Sequence, residues 1–305
     1  MENAGLYLLT SFIWGSTWLA IKYQLGVVAP EVSIVYRFAL AAAILGAFVL
    51  LRRLPMRFSL REHGFIALQG AFLFSINYVL VYLSEETLPS GLVAVVFSTL
   101  ILLNVLLGAL LLRDPIRPQV LVGGLVGLGG LMLVFWPELA GFRLSGDRSL
   151  GLILSLVGAL SASVGNMVSA RNQRRGLPVV QTNALGMAYG ALITLGFALL
   201  RGAPFRFEPT LGYVLSLFYL AIFGSVIAFG AYLTLLGRIG PDRAGYIAIV
   251  FPVIALGLST LFEGLGWTPL SILGVLLVVA GNGLALSRRR QRAEAAAQQA
   301  LQRRS

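Results

Sequence analysis

The chain has 305 residues, a formal charge of +11 and no cysteine. It is 58% hydrophobic and only 11% charged, with a mean hydropathy of +0.87, against roughly 45–50% apolar and about 25% charged residues in soluble domains. No soluble fold can bury that much apolar surface, and without thiols there can be neither disulfides nor thiolate metal sites. The basic balance is not that of a nucleic-acid-binding protein either, because Lys and Arg fall between apolar runs instead of forming a stripe with aromatics. A lone His63 and scattered carboxylates offer no metal-ligand cluster, and no cofactor is implied.

Taken in chain order, apolar stretches between charges and turn residues predict ten helices, each near the roughly 17–25 residues that a membrane span needs. The first, 5–23, follows Glu2 instead of a basic region and contains Trp14 and Trp18, so it reads as a span and not as a cleaved signal. The next four are 31–51, 64–84, 91–112 and 119–136. The second set of five is 150–170, 179–200, 211–236, 244–262 and 270–287. A basic tail, 288–305, follows as a stop-transfer anchor against anionic headgroups. Helices are expected because each satisfies its own backbone where there is no water, whereas barrel strands would show short alternating segments.

The basic residues set the orientation. With the N-terminus inside, seventeen Lys and Arg fall on the cytoplasmic side and five outside, while Arg37 lies within a span. That asymmetry predicts cytoplasmic N- and C-termini in a multi-pass protein of the cell inner (plasma) membrane.

The halves resemble each other at an offset close to 149 residues: Lys22 and Arg171 end the first and sixth spans, Pro30 and Pro178 open the second and seventh, and Asp114 and Glu263 follow or end the fourth and ninth. Five spans per half force the second copy to enter from the opposite side. The expected fold class is therefore an all-α membrane protein of two inverted-topology five-helix repeats, 5–136 and 150–287.

The segment from Phe12 to Lys22, with Trp14-Gly15 at its centre, is followed by Pro30 and then Tyr36-Arg37-Phe38. Together with Leu88-Pro89-Ser90-Gly91, and with Phe251-Pro252-Val253 ahead of Glu263, it resembles the EamA repeat of the drug/metabolite transporter superfamily over about residues 5–287. Length and loop pattern are also similar to members that export aromatic amino acids. The resemblance implies a secondary transporter. This sequence departs from the pattern where the fourth span lacks a proline partner for Pro252 and where Ser163 stands opposite Trp14.

Polar side chains inside spans must face protein or water. Ser75, Tyr78 and Tyr82 share one face of the third span with Asn77 alongside; Trp14 and Thr17 share a face of the first, and Ser163 and Asn166 one of the sixth. With Asn183, Tyr246 and the Ser98–Thr99 pair they are candidates for a central substrate cavity, or for interhelical hydrogen bonding. An Arg within a span costs at least about 2.5–3.5 kcal/mol unless it snorkels or is paired. Arg37 is thus expected either to anchor at the outer surface or to form an ion pair or gate with Glu85, Glu86 or Glu263. Pro252 removes a backbone hydrogen bond and marks either a hinge or a static kink. Glycines of the fifth and tenth spans, such as Gly123, Gly127, Gly274 and Gly281, suit close helix packing as scaffold or dimer contact.

The expected function is export of aromatic or neutral amino acids and related small metabolites by alternating access. Multidrug or cationic-compound export is the alternative, and a channel or structural protein is the different class. Acids are absent from the deep membrane, which favours facilitated over proton-coupled transport. An intramembrane enzyme is not expected, since no paired acids or Ser–His pair is present in the spans. The expected partners are a small-molecule substrate and the bilayer, with no nucleic acid; a monomer and a homodimer both fit.

Overall fold

The computed structural model describes residues 1–88, 90–140, 146–263 and 267–286. Among them there is no strand. Helices α1 (Asn3–Lys22), α2 (Pro30–Leu51) and α3 (Leu60–Glu85) are followed by α4, in two pieces, Ser90–Phe97 and Leu100–Leu112. After α5 (Pro118–Val134) come α6 (Gly146–Arg174), α7 (Val179–Leu200), α8 (Leu211–Ile239), α9 (Ile247–Glu263) and α10 (Pro269–Leu286). Each expected span is thus helical. Seven helices (α2, α3, the Val95–Leu112 stretch of α4, α6, α7, α8 and α10) are long and apolar enough to cross a membrane, and α5 is a shorter apolar helix of 17 residues. The basic tail lies outside the described residues.

The distribution of side chains is that of a protein whose solvent is hydrocarbon. Phe12, Leu110, Leu192 and Val279 are more than half exposed, while Asn104, Gln69, Ser163 and Asn166 are buried. Polar groups that would be lost in lipid are thereby turned inward, where helices supply partners.

α5 and α10 lie against each other through glycine. A Cβ on Gly123 would come within 2.6 Å of the Gly281 carbonyl oxygen, and one on Gly130 within 2.6 Å of that of Gly274. These glycines serve an internal seam between the two halves of the sequence, and not a face left for a second copy. Tyr246 closes the seam, its hydroxyl donating to the carbonyls of Gly123 (3.0 Å) and Val278 (3.3 Å). On the opposite flank α2 packs along α7.

Regular geometry is interrupted at matching places in the two halves. α3 contains a π-helical segment at Phe72–Ile76, and α8 one at Leu220–Ile227. α4 breaks in a turn at Ser98–Thr99, and the chain leading into α9 breaks in a turn at Gly245–Tyr246. Both correspondences fall near the 149-residue offset. α4 breaks without a proline, so the missing counterpart of Pro252 does not leave that helix straight.

The glycine seam gives a test. Gly130→Val should cut the yield of monodisperse detergent-solubilised protein severalfold, since overpacking against backbone costs about 1–3 kcal/mol or more. Gly129→Val, whose Cβ meets nothing within 4 Å, should leave yield and thermal midpoint unchanged.

Candidate functional site

The interrupted stretches of α3, α4 and α9 border a cavity of about 90 Å³, with α8 contributing Phe229 and Tyr232 beyond its π-helical turn. Trp14, Thr17 and Ile21 of α1 face Ala162 and Asn166 of α6 across it; Leu73, Asn77, Tyr78 and Val81 of α3 face Phe229 and Tyr232 of α8. Phe97 and Leu100 of α4 complete the wall with Gly245, Ala248 and Phe251, and Arg37 enters from α2. The lining draws on equivalent positions: Thr17 with Asn166, Leu100 with Ala248, Val81 with Phe229.

Three of the four backbone irregularities are compensated by a side chain from the other half of the sequence. In α8, the Trp14 indole N–H donates to the Gly224 carbonyl at 3.2 Å. In α3, Ser161 Oγ donates to the Phe72 carbonyl at 2.9 Å. Pro252 has no N–H to give the Ala248 carbonyl four residues earlier, and Ser98 Oγ donates to that oxygen at 2.6 Å. Gly15 lets α1 cross at this kink, since a Cβ there would meet Ile254 Cγ2 at 2.8 Å and the Phe251 carbonyl at 3.1 Å.

Rings form the apolar wall. Trp14 lies 5.0 Å from Phe229 and 4.9 Å from Tyr232, centroid to centroid, and Tyr78 lies 4.8 Å from Phe38. Such tilted and edge-on contacts at 4.5–7 Å are the favoured aromatic arrangement. Behind them Ser163 Oγ donates to Asn104 Oδ1 (2.8 Å), as does Asn166 Nδ2 (3.3 Å), and Asn166 Nδ2 also donates to the Tyr232 hydroxyl (2.9 Å). Asn104 Nδ2 in turn donates to the Pro241 carbonyl (2.9 Å), tying the polar cluster to the start of α9.

Arg37 is 1% exposed. Its Nε donates to Ser225 Oγ at 2.9 Å and its Nη2 to the Tyr78 hydroxyl at 3.4 Å, and its guanidinium carbon lies 4.7 Å from the Tyr78 ring centre. Its Nη1 is buried without a hydrogen-bond partner. The expected surface anchoring is not what is seen: Arg37 is buried and its hydrogen-bond partners are neutral groups of α3 and α8, while Glu86 is exposed. The side chain of Glu263 lies outside the described residues. At the start of α2, the buried Glu31 pairs with Arg201 at 3.6 Å.

Of the candidate cavity residues, Trp14, Thr17, Asn77, Tyr78 and Asn166 come together around the space. Tyr82 is buried in the core behind the lining, Ser98 supports the α9 kink, and Thr99 bonds back to the Val96 carbonyl. Ser163 holds Asn104, Tyr246 holds the glycine seam, and Asn183 accepts from Gln69 in a separate polar cluster. Pro252 kinks α9 at the cavity wall, next to Phe251. The polar-residue reading does not reach Phe97, Phe229 and Phe251, whose rings carry no polar mark in an apolar span, and it passes over Tyr232. Asn104, a lone amide in the run Leu100–Leu112, did carry one.

An all-helical body with a lipid-exposed apolar exterior and an aromatic-walled cavity at its centre defines a multi-pass membrane protein with an internal binding space. The family model described as "EamA-like transporter family" matches residues 4–136 and again 149–287. The chain belongs to this family and is a membrane transporter. It is 32% identical to "Uncharacterized inner membrane transporter YedA" of Escherichia coli (strain K12), covering 89% of each chain, and 26% identical to "Probable amino-acid metabolite efflux pump" of the same strain, covering 92% of this chain and 93% of that one. Protein PagO of Salmonella typhimurium is 23% identical over 92% and 91%. A solved crystal structure superposes with a TM-score of 0.78 at 20% identity, covering 93% of this chain and 96% of the other, which establishes a shared fold.

If Ser98 compensates for the proline, the two residues are coupled. Ser98→Ala should lower stability by about 1 kcal/mol in the native sequence. In a Pro252→Ala background, where residue 252 regains its N–H, the same change should cost close to nothing, as a double-mutant cycle of thermal midpoints would read.

Proposed function

We propose that the protein exports neutral and aromatic amino acids and related small metabolites across the inner membrane, by alternating access of two inverted five-helix halves with both termini in the cytoplasm. In this reading α1, α5 and α9 complete ten spans with the seven helices already long enough. The observation that carries it is the cavity itself, built from paired helices of both halves, walled by rings and carrying polar groups on Thr17, Asn77 and Asn166. Rings supply apolar area and the amides supply directional partners, a combination suited to a zwitterion with an apolar side chain. A relative of similar length is named an amino-acid metabolite efflux pump.

Contacts between the halves sit at both ends of the bundle. On the side of the α4–α5 loop, Arg117 pairs with Asp242 at 3.2 Å and Arg174 with Asp114 at 2.7 Å. At the start of α2, Glu31 meets Arg201, and Ser33 shares a hydrogen bond with the Tyr213 hydroxyl at 3.0 Å. The partly exposed pairs at the first end hold it weakly, while the contacts at the second end involve the buried Glu31, Ser33 and Tyr213. Separation of the halves at one end would open the cavity to that side.

Among the described residues no Asp or Glu lines the cavity, which favours gradient-driven export over a proton relay and disfavours cationic drugs as the main cargo. Counterflow in proteoliposomes tests the reading. Labelled phenylalanine, tyrosine or leucine should enter saturably, faster with unlabelled substrate on the trans side and at the same rate with or without a pH gradient. Absence of flux for every amino acid would sink the substrate class; accumulation driven by the pH gradient would sink the facilitative mechanism.

A further inference from the structure

Arg37 is buried in the cavity wall, where desolvation would destabilise an unpaired cation, yet its hydrogen-bond partners are two hydroxyls. Hydroxyls stabilise a guanidinium far less than a carboxylate does. Nη1 is left without a hydrogen-bond partner in the same buried setting, at a residue that lines the cavity. The Asn77 and Asn166 side chains, also in the lining, each leave Oδ1 buried and without a hydrogen-bond partner. The residues that line this ring-walled space thus carry one vacant cationic donor and two vacant amide acceptors, each atom itself buried. Resting on the transporter reading of this cavity, we propose that Arg37 is the anchor for a substrate carboxylate, so that the carrier selects monoanionic carboxylate headgroups and rejects the corresponding amines.

The surroundings fix the guanidinium for this role. Ser225 Oγ holds Nε and itself donates to the Leu220 carbonyl at 2.9 Å, five residues back along the π-helical turn. Gly224 leaves the room, since a Cβ there would lie 3.2 Å from Arg37 Nη2 and 3.0 Å from Thr17 Cγ2. The Tyr78 ring and hydroxyl hold the other edge. A planar fork held on two sides presents its remaining N–H groups in a set direction, which a lysine ammonium could not do. The Asn oxygens give an α-ammonium two acceptors, and an apolar side chain would lie against Trp14 and Phe229.

Competition against labelled phenylalanine counterflow provides the test, with phenylalanine, 3-phenylpropionate (no amine) and phenethylamine (no carboxylate) as competitors. Phenethylamine should compete about tenfold or more weakly than phenylalanine, the usual loss when a charged hydrogen-bond partner is removed. 3-Phenylpropionate should lose less than phenethylamine, because it keeps the charge-to-charge contact with the guanidinium and gives up only an ammonium on neutral amide oxygens. In Arg37→Gln that discrimination should collapse to within about twofold. Should this variant not fold, the native protein still decides: 3-phenylpropionate should raise its thermal midpoint in detergent and phenethylamine should not. Equal competition by phenethylamine, or unchanged discrimination in Arg37→Gln, overturns the anchor while leaving amino-acid export intact. Carboxylate-specific stabilisation without any phenylalanine flux supports the anchor and instead removes the amino-acid assignment.

Discussion

Everything in this molecule follows from the absence of water around its backbone. In hydrocarbon a carbonyl or N–H without a partner costs several kcal/mol, so a straight α-helix is the default and every departure from it needs a compensating donor. The chain departs at the π-helical turns of α3 and α8, the break in α4 and the proline in α9. At three of these places a side chain from the other half of the sequence donates to a carbonyl: Trp14 to Gly224, Ser161 to Phe72, and Ser98 to Ala248. The same bonds that satisfy the backbone therefore hold the two halves together around the cavity.

The same constraint explains what could be read from the sequence. Span positions were legible because helix formation in lipid is set by local apolar runs, and the ten expected segments are all helical to within a few residues. Arg37 stood out for the same reason, as a charge where insertion is costly, but its partners were not legible. Ser225 and Tyr78 are 188 and 41 positions away, and a hydroxyl in a membrane span carries no mark of what it bonds. Reading polar residues as lining also mistook support for surface. Ser98, Ser163 and Tyr246 are polar because they serve carbonyls and amides behind the wall, whereas Phe229 and Phe251 line the space and look like ordinary core. In a soluble enzyme buried polarity points to the site; in a bilayer it equally marks repairs to the backbone.

The asymmetry between the halves has a physical reading. Trp14 and Ser161 do the same work on opposite π-helical turns with side chains of very different size. On the α1 side the indole also fills the cavity against Phe229 and Tyr232; on the α6 side the small Ser161 and Ala162 leave room for Asn166. One side is therefore ring-walled and the other amide-lined, which gives a polarised site to a pair of helices whose backbones correspond. Arg37 accentuates this. Its equivalent region in α7 is occupied by Leu185 and Gly186, and a Cβ on Gly186 would sit 3.3 Å from the Phe74 ring, so no second cation could be accommodated there.

That single cation also bears on how the halves move. Backbone segments held by side-chain donors from a neighbouring helix are less tightly bound than continuous α-helix, because their closing bonds break when the neighbour shifts. The turns of α3, α4, α8 and α9 are thus the places where the bundle bends most easily; those of α3, α4 and α9 border the cavity, and that of α8 meets two of its lining residues, Trp14 and Arg37. Arg37 reaches one of them through Ser225, whose hydroxyl spans the π-helical turn to the Leu220 carbonyl. A group that draws the guanidinium away from Ser225 would loosen α8 at its softest point, while one that leaves it in place would keep the turn locked. The hydrogen bond that fixes the guanidinium is thus also one that stiffens α8.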